Sequence, residues 1–294
     1  MGHEFRFGVN TLIWTENFSE QDLWILPRIR KLGFQAIDLS VARPEDFPVE
    51  ATRRVLGETG VEPVITTALA LQHNPVSPES SVRRSAVENL KRIVDIANAL
   101  GARIVGGVIY AAWGYKTNRP RTEQEWQWSL ECMREVARYA RETGEVVLAV
   151  EVINRYVTHF LNIAADAVRY CGETGMGNVK VHLDSFHMMI EEESFAKAIR
   201  CCGRGHLAYF HTCESHRGIP GTGLVPWRET FDTLREIGYD SPLVIESYDP
   251  RFIRAASNSC IWRNLAASGE ELAVKGLRFF QETLSRDAEA VDAN

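Results

Sequence analysis

Short apolar, β-branched runs recur along the chain, and each gives way to a stretch whose apolar residues repeat at the helical period. Phe5–Ile13 reads as a strand, followed by a helix over Ser19–Leu32 with Ser19 as N-cap and Gly33 at its end. Phe34–Val41 is a second strand, and Val49–Glu58 a helix closed by Gly60. Pro63–Ala68 is a third strand, and the helix over Ser81–Leu100 sets Val87, Leu90, Val94 and Ala97 on one face before Gly101. Arg103–Tyr110 and the helix Glu123–Thr143, stopped by Gly144, form the fourth pair. The fifth opens with the run EVVLAVE over Glu145–Glu151, and its helix spans Leu161–Glu173. Val179–Asp184 with Ser194–Cys202, then Leu207–His211 with Trp227–Ile237 before Gly238, continue the alternation. Leu243–Glu246 is the eighth strand, and helical segments from about Cys260 to Leu284 close the chain before a polar, frayed tail at 285–294.

Eight strand–helix units without a Pro- or Ser-rich linker predict an α/β protein with a single (β/α)8 TIM barrel over residues 1–294. An open doubly wound sheet would carry a Gly-rich phosphate loop after its first strand, and NTLIWTENFS at 10–19 has none. A length of 294 residues suits the barrel, and a content of 45% hydrophobic residues supplies its core. The 33 basic and 39 acidic residues leave a net charge of −6, which disfavours nucleic-acid and anionic-membrane partners. No stretch approaches the roughly 20 apolar residues of a membrane span. The opening MGHEFRFGVN lacks a signal-peptide core, and the six cysteines form no C-x-x-C pair. A cytoplasmic protein with reduced thiols is the expectation.

In a barrel the chemistry sits at the carboxyl ends of the strands. Those ends carry Glu151, Asp184, His211 and Glu246, spaced 33, 27 and 35 residues apart, close to one βα unit each. Taken singly, a charge at a strand end is commonly solvated or capping. Four on consecutive strands predict a site for a divalent cation, because buried carboxylates have few other ways to be satisfied. Three carboxylates and one imidazole make a hard, oxygen-dominated site that suits Mn²⁺ or Mg²⁺, with Co²⁺ as a further candidate. An octahedral ion with four protein ligands keeps two positions for a vicinal hydroxy-ketone, whose intervening C–H it acidifies. Glu151 and Glu246, on non-adjacent strands, would take and return that proton on opposite faces, both staying ionised until one accepts it.

His187 and Arg217 are candidate donors to the developing enediolate oxygen, and Trp14 and Trp113 candidate walls for a sugar face. Each also has an ordinary reading as a loop or packing residue. Glu214 and His216 are less sharply placed. His182 reads as a core or outer-face residue, GTG at 221–223 as turn chemistry, and Cys201–Cys202 has no base to activate it.

The stretches EVINRY at 151–156, HLDSFHMMIEE at 182–192, HTCESHRGIPGTG at 211–223 and VIESY at 244–248 together resemble the D-tagatose 3-epimerase and D-psicose (allulose) 3-epimerase family of xylose-isomerase-like barrels. NTLIWT at 10–15, GVIYAAWG at 107–114 and IWRNL at 261–265 extend the likeness over nearly the whole chain. The resemblance implies a divalent metal, usually Mn²⁺ or Co²⁺, held by Glu151, Asp184, His211 and Glu246. It implies Glu151 and Glu246 as the acid–base pair, substrate contacts from His187 and Arg217, and a homodimer or homotetramer acting on free ketoses. The family usually reads E-x-x-N-R-[FY]-E, its last Glu near the substrate's O1; here that position is Val157, so the C1 end is expected to be recognised differently.

Other readings share parts of this pattern. An aldose–ketose isomerase, or an inosose isomerase or dehydratase, would use the same metal site on a different carbon. A barrel nuclease of the endonuclease IV type would need several zinc ions and more strand-end histidines than His211. A non-catalytic sugar-binding barrel would not need both glutamates.

Overall fold

The computed structural model describes residues 5–292. Eight parallel strands close into a barrel in chain order: β1 Phe7–Asn10, β2 Ala36–Ser40, β3 Glu62–Ala68, β4 Ile104–Val108, β5 Val147–Glu151, β6 Val179–Asp184, β7 Leu207–His211 and β8 Leu243–Ile245. The fold is a single (β/α)8 barrel, as the alternating pattern predicts. Its helices are α1 Ile25–Lys31, α2 Val49–Thr59, α3 Ser80–Leu100, α4 Glu123–Thr143, α5 Ala164–Thr174, α6 Ser185–Glu191, α7 Phe195–His206, α8 Trp227–Glu236, α9 Ile253–Asn258 and α10 Gly269–Asp292.

The first unit departs from its expected bounds for local reasons. β1 stops at Asn10 because that side chain accepts a hydrogen bond from the Leu12 N–H at 2.7 Å and turns the chain into a 3-10 segment, Thr11–Ile13. A helix running from Ser19 would hold Pro27 in its interior, where the ring removes a donor and clashes with the preceding turn. Instead a 3-10 turn over Glu20–Asp22 precedes α1, which starts at Ile25 and carries Pro27 in its first turn. Gly60 and Gly101 end α2 and α3 in the left-handed conformation, as expected. Gly144 ends α4 with extended backbone, and a Cβ there would stand 2.1 Å from Asn98 Oδ1; the need is for space.

The closing segment also differs. A short α9 precedes an irregular stretch, and α10 begins at Gly269 rather than near Cys260. The expected frayed tail is helical backbone to Asp292, and residues 293–294 lie outside the described residues. Leu272, Ala273, Leu277 and Phe280 of α10 are buried on the barrel. Phe280 stacks on Phe7 at 5.3 Å and meets Trp227 at 4.8 Å, so the last helix seals the seam between β1 and β8.

Side chains alternate along each strand, so residues two apart share a face. Val64, Ile104, Ala149, Tyr209 and Val244 form a separate apolar cluster. One step toward the carboxyl ends on the same faces come Thr66, Glu151, His211 and Glu246. This alternation aims the strand-end ligands into the mouth.

Candidate active site

Asp184 and His211 are register partners on β6 and β7, so both side chains leave the sheet at one level. All four strand-end candidates, Glu151, Asp184, His211 and Glu246, are buried. Asp184 also starts α6: its Oδ1 accepts from the Phe186 N–H at 2.8 Å, leaving Oδ2 for the site. One helical turn later His187 lies over it, its Nε2 3.8 Å from Asp184 Oδ2 and 3.8 Å from Glu151 Oε1. The Asn154 backbone N–H and side-chain amide both lie on His187 Nδ1, at 3.3 and 2.8 Å. A backbone donor on Nδ1 leaves the ring proton on Nε2, facing the carboxylates. Arg155 pairs with Glu191 at 2.7 Å and pins this loop to α6, which joins the EVINRY and HLDSFHMMIEE stretches physically.

Arg217 enters from the loop after β7. Its Nη1 donates to Glu246 Oε2 and stands 3.0 Å from Asp184 Oδ2. The guanidinium lies over Phe186 at 4.3 Å and Tyr248 at 5.5 Å. Its backbone φ is +62°, a strained value for a residue with a Cβ, held by its own N–H on the Glu214 carbonyl at 2.8 Å and by Ser247 Oγ on its carbonyl at 2.6 Å.

Asp38 is the residue that sequence reasoning missed. Buried at the inner face of β2, it accepts from Thr66 Oγ1 at 2.5 Å, Tyr209 OH at 2.8 Å and His211 Nε2 at 2.8 Å. The imidazole is thereby fixed with a proton on Nε2. His211 Nδ1 faces the cluster 3.5 Å from Glu246 Oε2 and makes no hydrogen bond. His182 resolves as a core residue, packed between His211 and Tyr209 with ring centroids at 4.3 and 4.5 Å.

Electrostatics divide the two glutamates. Burial raises the Glu151 carboxyl well above its ordinary range, and Glu246 and Asp184 add to that. Burial would raise Glu246 too, but His211 and Arg217 overcome it and hold it well below. Burial lowers His187 to about 4, leaving a neutral donor at physiological pH. Arg217 contacts Glu246 and Asp184 but not Glu151, which separates the surroundings of the two glutamates in the protein alone. Asp184, His211 and Glu246 bring ligand atoms within 4.8 Å of one another, and Glu151 joins His211 or Asp184 within the same span. With the unpartnered His211 Nδ1, this donor set fits a hard divalent cation.

Trp14, Trp113 and Val157 stand half-buried on the loops after β1, β4 and β5. The hydrogen bonds of the acid cluster include none of them among the described residues. Glu214 is committed elsewhere: its carboxylate accepts from the backbone N–H groups of Ser215, Gly221 and Val225 and from Trp227 Nε1, at 2.7 to 3.2 Å. The GTG segment is thus turn structure around an internal anion. His216 approaches Thr222 at 3.4 Å, outside the cluster.

The profile of the xylose isomerase-like TIM barrel family matches residues 26–283. The chain belongs to that family. Within it, the chain is 32% identical over 294 residues to the L-ribulose 3-epimerase of Mesorhizobium japonicum, covering 98% of both. It is 32% identical over 283 residues to the ketose 3-epimerase of Arthrobacter globiformis, covering 95% of this chain and 97% of that one. A solved L-ribulose 3-epimerase structure superposes with a TM-score of 0.91 at 30% identity, over 98% of each chain. The D-allulose 3-epimerase from Methylomonas sp. in complex with D-allulose gives 0.89 at 29% identity, over 96% of this chain and 99% of that one. This member of the family is an epimerase. No helix among the described residues is long and apolar enough to cross a membrane.

Proposed function

We propose that this epimerase acts on free ketoses, of the tagatose, psicose, fructose and ribulose type, by removing and returning the proton at C3. The observation that carries the reading is the pair of buried glutamates, Glu151 at the end of β5 and Glu246 just past β8, that share one cluster with Asp184 and His211. Two carboxyl groups on non-adjacent strands form an acid–base pair. One glutamate takes the C3 proton and the other returns it from the opposite face. In the reverse direction the roles exchange.

A divalent ion, Mn²⁺ by preference with Co²⁺ or Mg²⁺ as substitutes, would be held by Glu151, Asp184, His211 and Glu246. When bound it would polarise the ketose carbonyl and acidify the adjacent C–H. The protein's own part is to orient the sugar and carry protons. His187 Nε2–H and the Arg217 guanidinium supply hydrogen bonds to the enediolate oxygens, and Trp14 and Trp113 flank the sugar. The loop around Glu214 supports a substrate without phosphate, because its amides are already taken by an internal carboxylate. Val157, three residues past Asn154, is placed to shape the C1 end. The resemblance also carries an assembly of two or four chains, and the free cysteines support a cytoplasmic setting.

A related barrel, the 3-dehydro-D-guloside 4-epimerase of Escherichia coli, is 29% identical over 245 residues. Its name puts the carbonyl at C3 and the epimerised carbon at C4, where a ketose 3-epimerase has them at C2 and C3, so the carbonyl's position separates the two readings. The test is a panel of free ketopentoses, ketohexoses and inososes assayed with added Mn²⁺. Ketoses should be epimerised at C3, and Glu151→Gln and Glu246→Gln should each lose on the order of 10²–10⁴ in turnover. Turnover of inososes alone would overturn the reading.

A further inference from the structure

β7 does not end its inward face at His211. Residues 209, 211 and 213 alternate inward, and Cys213 continues that line toward the mouth. Ser185 Oγ accepts from the Cys213 N–H at 2.7 Å and donates to its carbonyl at 2.6 Å, so the backbone that aims the thiol is fixed against α6. Cys213 is 1% exposed, and its Sγ lies 3.9 Å from Glu246 Oε2. Ligand atoms of Asp184, His211, Cys213 and Glu246 all fall within 4.8 Å of one another. Ions of this class bind sulfur at about 2.3 Å and nitrogen or oxygen at about 2.0–2.2 Å. Donors on one ion can then stand up to about 4.5 Å apart, close to the span observed.

Two further observations place the sulfur at the cation position. Arg217 Nη1, the cationic nitrogen that contacts Asp184 and Glu246, is also 2.8 Å from Cys213 Sγ. Any cation shared by those two carboxylates therefore has the sulfur as a neighbour. His211 Nδ1, buried and without a hydrogen-bond partner, points into the same space. Soft sulfur in a donor set shifts preference from Mg²⁺ and Mn²⁺ toward Co²⁺, Zn²⁺ and Cd²⁺.

We infer that Cys213 is an additional, sulfur ligand of this site and strengthens its hold on thiophilic divalent ions relative to a site of oxygen and nitrogen donors alone. The inference rests on the proposed metal site. Its proton leaves to the buffer when the sulfur binds, and no oxidation is involved.

The experiment is titration of the full-length protein with Co²⁺, followed by absorption. Ligand-field bands in the visible report ion binding at the site; a sulfur-to-cobalt charge-transfer band in the near ultraviolet reports the thiolate. The wild type should show both. Cys213→Ser should keep the ligand-field bands and lose the charge-transfer band, and its preference for Cd²⁺ over Mn²⁺ should fall on the order of tenfold or more. Ligand-field bands without charge transfer in the wild type would overturn the inference and leave the metal site standing. Charge transfer that survives in Cys213→Ser would assign the sulfur elsewhere and also overturn it. No cobalt spectrum at all would reject the metal site and this inference together.

Discussion

At the scale of single residues, the histidine ligand illustrates how a site depends on what stands behind it. His211 is legible as a strand-end imidazole, but its tautomer and ring angle come from Asp38 on β2, five strands earlier in the chain and three away around the closed barrel. Asp38 sits inside the apolar run AIDLS at 36–40, where one carboxylate reads as a strand interruption. Only the closing of β1 through β8 brings it to His211, and no spacing within one βα unit encodes that. The available signal was its position: a carboxylate toward the end of a barrel strand, like those on β5, β6 and β8. Asp38→Asn should weaken metal binding on the order of 10–100-fold, measured by competition with a chelator, because a neutral partner supports the imidazole less well. Unchanged affinity would make Asp38 a packing residue. Val157 belongs to the same scale. With no acceptor at this position, a hydroxyl buried against it costs roughly 1–3 kcal/mol. Val157→Glu should therefore raise turnover of ketoses relative to their 1-deoxy counterparts, and an unmoved ratio would assign that end to another residue.

At the scale of elements, strand and helix existence was written in the periodicity, while several boundaries were set by single side chains. Asn10 ends β1 and Pro27 delays α1; both effects are local but compete with an apolar pattern that runs straight through them. α6 hides in a motif that reads as chemistry, since Asp184 serves as N-cap and candidate ligand with different oxygens. The α4 terminus shows a boundary that was legible. Thr122 and Glu125 form a capping box, with Glu125 Oε2 accepting from the Thr122 N–H at 2.7 Å. Burial would raise Glu125, yet Arg119 and Thr122 lower its pKa from 4.5 to about 2. A group depressed in the folded state contributes stability that is complete above its unfolded pKa and is lost as pH falls through the folded one. Its contribution is thus full above about pH 4.5 and fades toward about pH 2. Glu125→Gln should lower stability on the order of 1–2 kcal/mol at pH 7. In calorimetry the gap from wild type should narrow steadily below pH 4.5. A gap independent of pH would mean that the ionised pair contributes nothing.

At the scale of the whole molecule, the barrel converts four distant strand ends into one cluster and then sets their charges against each other. The cluster was readable because βα units place every strand's carboxyl end at one rim, so positions suffice. The difference in surroundings between Glu151 and Glu246 was not, because it arises from Arg217. That residue reaches the cluster from a loop with a left-handed backbone and lies nearer one glutamate than the other. The asymmetry matters only if a proton is exchanged at the carbon between the two bases, and this is the central claim. It is tested by converting a free ketose in deuterated water, with the ion added, and locating the label by NMR and mass spectrometry. The account predicts one solvent deuterium at C3 of the epimerised product and none at C1 or C4. Epimerised product free of solvent label, or label confined to another carbon, would contradict it.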